Sequence, residues 1–497
     1  MARLSNYVID TEITDENQNM LVHGYTGAID IIDRELANYL KNNKDTLERG
    51  TFPFGEENYD LLNKRGYITD KTPVEEVQYV KDLANLLHKK NLNGIKCFGF
   101  IITYNCNFRC PYCYESRISN FGKNWSQKTF TKEIVDEAYE ALATIEPVKE
   151  KRYRGLLLYG GEPLLKKNQE VVKYIVNKGV GLGYRFGAIS NGFELENYED
   201  ILGPDKLGAL QITIDGPRDQ HNTTRVHQDG FPTFDKILSN VEMALNKECK
   251  VSIRMNTNME NIDKISALHD FFEKKGFYKN PLFQLNSALI YDYLDDLKES
   301  DDKAKGINYM SHKDYIDVYE KHPDFNFEDE GFYKRISDSI TKGQRMMLQP
   351  TYCGAPSNSY LLDPYHNIYA CWERIGVGSQ VVGKYNKDRV KFFPNLEEIH
   401  SHNVSEKETC SKCKFVFLCR GGCPVKAKTH NCKLVRELFK TSVNKVYKKI
   451  RSISNNALTI NSRIFREILF INSLNYYNYD KESYQISEQR SLRSGLR

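Results

Sequence analysis

The chain has 497 residues, 40% of them hydrophobic and 27% charged, which is the composition of a globular protein with room for about three domains. A net charge of +4 from nearly balanced acids and bases excludes the concentrated basic character of a nucleic-acid binder, and no run of about 18 apolar residues exists to span a membrane. The opening MARLSNYVIDTEITDE lacks the apolar core of a signal peptide, so a cytoplasmic location is expected; there, twelve cysteines point to metal rather than to disulfides.

Residues 1–90 read as a separate small unit. YVIDTEI and MLVHGYTGAIDII are expected as two strands, and DRELANYLKNN as a helix behind a capping Asp. EENYDLLNKRG forms a second helix ending at Gly66, followed by a short strand, YITD, and a helix from Thr72 to Lys90. Two helices and a strand pair resemble a winged helix.

Over residues 95–295 strands and amphipathic helices alternate. The strands are CFGFIITY, GLLLYGG, RFGAISN, LQITIDG, VSIRMNT and LFQLNSALI. Six β–α repeats predict parallel strands with right-handed crossovers and a site at the strands' C-terminal ends. A charged connection covers 296–350, a cysteine-rich, loop-rich unit 351–435, and a basic helix with a polar tail 436–497; the last 20 residues are expected to be disordered. The fold class expected is α/β: a partial (β/α)6 barrel between a winged-helix-like N-terminal domain and a C-terminal iron–sulfur domain.

After the first barrel strand come Cys106, Cys110 and Cys113, spaced Cys-x3-Cys-x2-Cys. Three thiolates can hold three irons of a [4Fe–4S] cube and leave the fourth open to an external ligand. Structural zinc needs a fourth ligand, and no His lies in this loop. The next strand ends in Gly160-Gly161-Glu162-Pro163, where glycines permit close backbone approach and a carboxylate can receive an ammonium group. The third ends in Ser190-Asn191-Gly192, and the fourth leads to Asp215-Gly216-Pro217, His221 and Arg225; Arg254 lies on the fifth. Seen alone, each of these is more often a turn, a helix start or a surface ion pair.

Together these residues resemble the radical S-adenosylmethionine superfamily. The resemblance implies that Cys106, Cys110 and Cys113 hold a cluster whose open iron binds S-adenosylmethionine, and that Tyr112 helps hold the adenine. It further implies that Gly160, Gly161 and Glu162 bind the methionine amino group, that Ser190 and Asn191 bind the ribose, and that Arg225 pairs with the carboxylate.

Seven further cysteines sit at positions 353, 371, 410, 413, 419, 423 and 432, too many for one four-cysteine zinc site. Their spacing, with DPYHNIYAC, resembles the SPASM domain, which carries two auxiliary [4Fe–4S] clusters. The resemblance implies that Cys353, Cys371 and Cys423 serve the first and Cys410, Cys413, Cys419 and Cys432 the second. His366 replaces the usual turn glycine, so the hairpin there is expected to be distorted. The first auxiliary cluster has only three candidate thiols, which leaves an open iron or an unassigned ligand. Cys97 and Cys249 lie outside these patterns and are expected to be buried apolar residues.

Three functions compete. A maturase of ribosomally made peptides, installing a thioether or other crosslink, would use residues 1–90 to grip a precursor's leader as an added strand. It would draw electrons from flavodoxin or ferredoxin. An anaerobic sulfatase-maturating enzyme shares both cluster domains but usually lacks a long N-terminal extension. A cluster-based sensor would need no S-adenosylmethionine pocket. The thioether maturase is the reading preferred, and it implies three [4Fe–4S] clusters and S-adenosylmethionine as cofactors.

Overall fold

The computed structural model describes residues 2–115, 124–290, 310–321, 326–327, 331–387, 389–424 and 432–457. The polar tail with its expected disorder, the charged run DYLDDLKESDDKAKG and the segment before Cys432 lie outside the described residues.

The N-terminal unit is a three-stranded antiparallel meander followed by three helices. The meander is β2 (Val8–Glu12), β3 (Gln18–His23) and β4 (Ile29–Asp33); a short pair, β1 (Arg3–Leu4) with β5 (Ile68–Thr69), lies beside it. MLVHGYTGAIDII is therefore two strands and not one. Gly24–Gly27 breaks it, with Gly27 at φ +70° donating its N–H to His23 O. Asp33 takes the N-cap position of the helix Arg34–Asn42 but makes no side-chain capping bond. The helix Glu56–Arg65 stops at left-handed Gly66, and Pro73–Leu92 starts at a capping box of Thr72 and Glu75, an arrangement worth about 1 kcal/mol.

The central sheet contains β6 (Lys96–Thr103), β7 (Arg152–Gly160), β8 (Arg185–Ser190), β9 (Leu207–Thr213), β10 (Lys250–Thr257) and β11 (Phe283–Leu289). They are parallel and lie in chain order, so right-handed crossovers place the helices Lys132–Ile145, Gln169–Gly181, Phe234–Asn246 and Ile265–Lys274 on one face. Between β8 and β9 a 3₁₀ segment, Leu195–Ile201, replaces the helix. Strand alternation sorts the core. Phe98, Phe100 and Ile102 of β6 pack under the helices, whereas Ile101 faces the concave side with Tyr159. Each fully buried Phe or Leu contributes roughly 1.5–3 kcal/mol.

The short β12 (Asn326–Phe327) pairs with β11 at one end of this sheet. At the other end the sheet continues into the cysteine-rich unit: β13 (Ser359–Leu362) pairs in parallel with β6, and β14 (Asn367–Tyr369), β15 (Gly383–Asn386) and β16 (Arg389–Phe392) follow as an antiparallel run. The β13–β14 hairpin is regular. His366 takes the left-handed conformation itself, at φ +63°, and its ring pairs with Glu137 at 2.8 Å, so the distortion expected from the missing glycine is not found.

The N-terminal unit is anchored on the cysteine-rich unit. Tyr7, Tyr25, Val80 and Ala84 pack with Val404, Val416 and Phe417, and the Tyr7 hydroxyl donates to Ser411 O at 2.5 Å. The helix Cys432–Ala457 returns to the meander, where Thr14 N–H donates to Asn444 Oδ1 and Tyr447 OH to Gln18 Oε1.

Candidate active site at the strand ends

All residues expected to hold S-adenosylmethionine gather at the C-terminal ends of β6 to β10. The two glycines after β7 do more than form a turn. Gly161 N–H donates to Thr103 O and Glu162 N–H to Asn105 O, both at 2.9 Å, so the end of β7 is stitched to the loop that leads into Cys106. A Cβ on Gly160 would lie 2.3 Å from Thr103 O and one on Gly161 would lie 2.5 Å from Asn105 O. The close approach those glycines permit is therefore to the cysteine loop's backbone.

Glu162, 2% exposed, is the hub of this layer. Its carboxylate accepts from Leu164 N–H (2.8 Å), the Ser190 hydroxyl (2.8 Å) and Asn191 N–H (2.6 Å). Burial pushes its pKa up to about 7, against the pull of those three donors and of Arg225. Asn191 in turn donates from Nδ2 to Asn107 Oδ1 at 2.8 Å, with Cys106 Sγ at 3.9 Å, and Phe108 N–H points at the same sulfur from 3.3 Å. Ser190 and Asn191 thus tie the third strand end to the first cysteine.

A second layer lies under Cys110. Tyr112 donates its hydroxyl proton to Asp215 and receives Arg225 Nη1 (3.0 Å) and Asn256 Nδ2 (3.2 Å). Asp215 also accepts Asn256 N–H at 2.9 Å, and burial holds its pKa above the usual carboxylate range. Arg225 is 9% exposed and lies over the Phe108 ring at 5.4 Å; burial raises the Cys110 thiol's pKa, and the Arg225 charge opposes that rise. The surface ion pair is thereby excluded for Arg225; it is a buried cation. Arg254 contacts Asn256 Oδ1 at 3.0 Å, at the rim of the same layer.

The cysteines of the C-terminal unit fall into two groups by the charges they feel. After burial, Glu373, Cys353 and Cys423 act on Cys371, and Cys423 acts on Cys353. Cys413 and Cys432 act on Cys410, while Cys432, Cys410 and Cys413 act on Cys419, whose thiol is pushed up to about 12. Thiols that are buried and feel one another's charge are costly as free anions, and a cationic metal reverses the cost. Among the described residues the one group of His, Cys, Asp or Glu with ligand atoms all within 4.8 Å is His269, Asp270 and Glu273, on the outer face of a helix. No group of three cysteines among the described residues meets that spacing. Cys249 is fully buried as expected; Cys97 is only half-buried.

Several residues at the site carried no motif. Tyr114 shares a hydrogen bond with Tyr159 (2.8 Å) and donates to Trp372 O (3.1 Å), joining the Cys113 loop to the turn after Cys371. Buried Glu115 is pushed up to about 8 by burial and by the Glu373 charge. Each of these residues is within two positions of a cysteine, or ends a barrel strand as Tyr159 and Asn256 do; strand-end position was the available signal.

Sheet order, strand-end glycines and a thiol loop beside a buried arginine define the class. The radical SAM superfamily model matches residues 100–272, and the chain carries a radical SAM domain there. Two relatives extend beyond that domain. A cysteine-type anaerobic sulfatase-maturating enzyme from Clostridium perfringens is 22% identical over 339 residues, which are 64% of this chain and 85% of that one. The radical SAM cyclopropyl synthase TigE from Paramaledivibacter caminithermalis is 20% identical over 443 residues, 84% of this chain and 89% of that one. Among solved structures, native anSMEcpe with bound AdoMet superposes with a TM-score of 0.55 at 17% identity, covering 72% of this chain and 99% of that one, which shows the shared α/β fold. No helix among the described residues is long and apolar enough to cross a membrane.

Proposed function

We propose that this chain is a peptide maturase that installs a thioether crosslink in a precursor peptide. The observation that carries the reading is the contact between the two segments that bear Cys113 and Cys371. The Cys113 loop and the turn after Cys371 meet through Tyr114, Tyr159 and Trp372, with Trp372 48% exposed. A peptide held there lies between both.

In this reading Cys106, Cys110 and Cys113 hold the radical SAM cluster, Cys353, Cys371 and Cys423 the first auxiliary cluster, and Cys410, Cys413, Cys419 and Cys432 the second. S-adenosylmethionine, when bound there, would supply the chemistry that abstracts a hydrogen from the peptide. The chain's own residues orient and shield it. Glu162 positions the methionine end and fixes Ser190 and Asn191 for the ribose, Tyr112 supports the adenine, and Arg225 faces the carboxylate from a site with little water, where a charge pair is strong. Residues 1–90 are the leader-binding unit, and a flavodoxin or ferredoxin supplies electrons.

The experiment is anaerobic reconstitution with a cysteine-containing precursor peptide and S-adenosylmethionine, followed by mass spectrometry. Loss of two hydrogens with the cysteines protected from alkylation is expected; an unchanged thiol count refutes thioether formation. Formylglycine formation is the second reading, supported by the likeness to the Clostridium sulfatase-maturating enzyme. An aldehyde in place of a cysteine, trapped by a hydrazide, would establish it instead.

A further inference from the structure

A cavity of about 420 Å3 opens between the end of β6 and the β13–β14 hairpin, within the size range of small-ligand sites. Tyr104 and Trp125 form its barrel side, and Tyr365, Tyr369 and Phe393 its other walls. Three of the rings are locked together, with centroids 5.2 Å apart for Tyr104–Trp125 and 6.5 Å for both Tyr104–Tyr365 and Trp125–Tyr365. Tyr104 stands two residues before Cys106 and Tyr369 two before Cys371. Walls of the cavity thus belong to the same two chain segments that bear Cys106 and Cys371.

Its polar groups decide what it admits. Asp363 is fully buried, and its carboxylate accepts the Tyr104 hydroxyl (2.7 Å), Asn367 Nδ2 (3.1 Å) and the N–H groups of Tyr365 and Asn367 (2.8 Å each). Four bonds fill the acceptor positions of a carboxylate, so Asp363 braces the wall and offers nothing to a cationic guest. Lys384 lines the cavity, and Lys128 Nζ lies 4.3 Å from the Tyr365 centroid, so a second cation would be repelled. What remains is a set of aromatic faces and edges, which suits a flat neutral ring. We propose that the cavity receives an aromatic side chain, Phe, Tyr or Trp, of the substrate peptide. This deepens the peptide-maturase reading and rests on it for the word substrate.

Gly378 supplies the test. It lines the cavity, and a Cβ there meets nothing within 4 Å, so Gly378→Leu adds apolar bulk to the cavity wall without a clash at Cβ. The full-length chain, with clusters reconstituted anaerobically and no S-adenosylmethionine, is titrated with N-acetyl-tyrosinamide, N-acetyl-argininamide and N-acetyl-aspartamide by saturation-transfer NMR. Tyrosinamide is expected to bind at least about tenfold more tightly than the other two, and both Gly378→Leu and Trp125→Ala are expected to weaken it about tenfold or more. Equal binding of the three amides, or tyrosinamide binding untouched by both variants, overturns the proposal. Peptide modification is measured separately. If the tyrosinamide result holds and no peptide is modified, the maturase reading fails and the aromatic site stands; if peptides are modified and tyrosinamide does not bind, the cavity proposal alone fails.

Discussion

Replacing Gly161 by alanine is the sharpest test of how the strand ends are held together. The new Cβ would stand 2.5 Å from Asn105 O, 2.7 Å from Asn105 C and 3.0 Å from Tyr104 C, where ordinary contact begins at 3.4 Å. These are backbone atoms, so no side chain can swing aside, and β7 must retreat by about 1 Å. That retreat breaks or stretches the bonds from Gly161 N–H to Thr103 O and from Glu162 N–H to Asn105 O. Two backbone bonds at about 1 kcal/mol each, with overpacking of about 1–3 kcal/mol, give a loss of roughly 3–5 kcal/mol. Urea unfolding of the full chain measures it, with Gly181→Ala as the control, since a Cβ there meets nothing within 4 Å. Iron content should fall too, because the displaced loop leads into Cys106. A Gly161→Ala variant as stable and as rich in iron as the parent would refute the stitching argument.

Three other perturbations follow from the same geometry. Glu162→Gln turns an amide donor toward one of three existing donors, a conflict of roughly 1–3 kcal/mol; S-adenosylmethionine affinity by equilibrium dialysis should fall about tenfold or more, with iron content retained. Arg225→Met removes a buried cation acting on Cys110, so the reduction potential of the cluster there should drop by at least about 60 mV, with Arg225→Lys closer to the parent; a potential unchanged in an anaerobic redox titration would place the charge elsewhere. His221 is fully buried, takes the Asp215 N–H on Nδ1, and is held near a pKa of about 3 by desolvation. Its folded pKa lies below the unfolded one of about 6.5, so its contribution is complete above that pH and is lost by up to about 1.4 kcal/mol per unit as pH falls toward 3. Urea midpoints between pH 7 and 5 should show a steeper decline for the parent than for His221→Leu.

The barrel was readable because buried parallel strands are short apolar runs and their crossover helices show a clean 3.6-residue period; Lys132–Ile145 falls where KEIVDEAYEALATI places it. Cysteine spacing singled out the thiol-bearing segments for a different reason: ligand geometry constrains spacing more tightly than packing constrains composition. The single-strand reading of MLVHGYTGAIDII failed although Gly24 and Gly27 bracket the break, because buried Tyr25 and Ala28 keep the run looking like continuous strand core. His366 failed for a local reason: a non-glycine can enter the left-handed region when its side chain is anchored, here by Glu137. Tyr159, Tyr114 and Glu373 carried only a positional signal, nearness to a cysteine or a strand end, and no motif, since what brings them together is the folding of two distant segments against each other.

The pairing of β13 with β6 bears on how such an enzyme tolerates change in length. Ser359 to Leu362 lie in fixed register beside Cys97 to Phe100, so the spacing between the two thiol-bearing units is set by a hydrogen-bonded ladder. Cys353 and the helix Phe332–Lys342 lie between β11 and β13, and Arg335 of that helix donates to Leu418 O beside Cys419. Loop closure grows only logarithmically costly with length, so residues added ahead of the helix His312–Lys321 leave the register of the ladder unaltered. A variant with several glycines added after residue 300 should keep the same distance between spin labels placed on the two units, as pulsed dipolar spectroscopy would measure it.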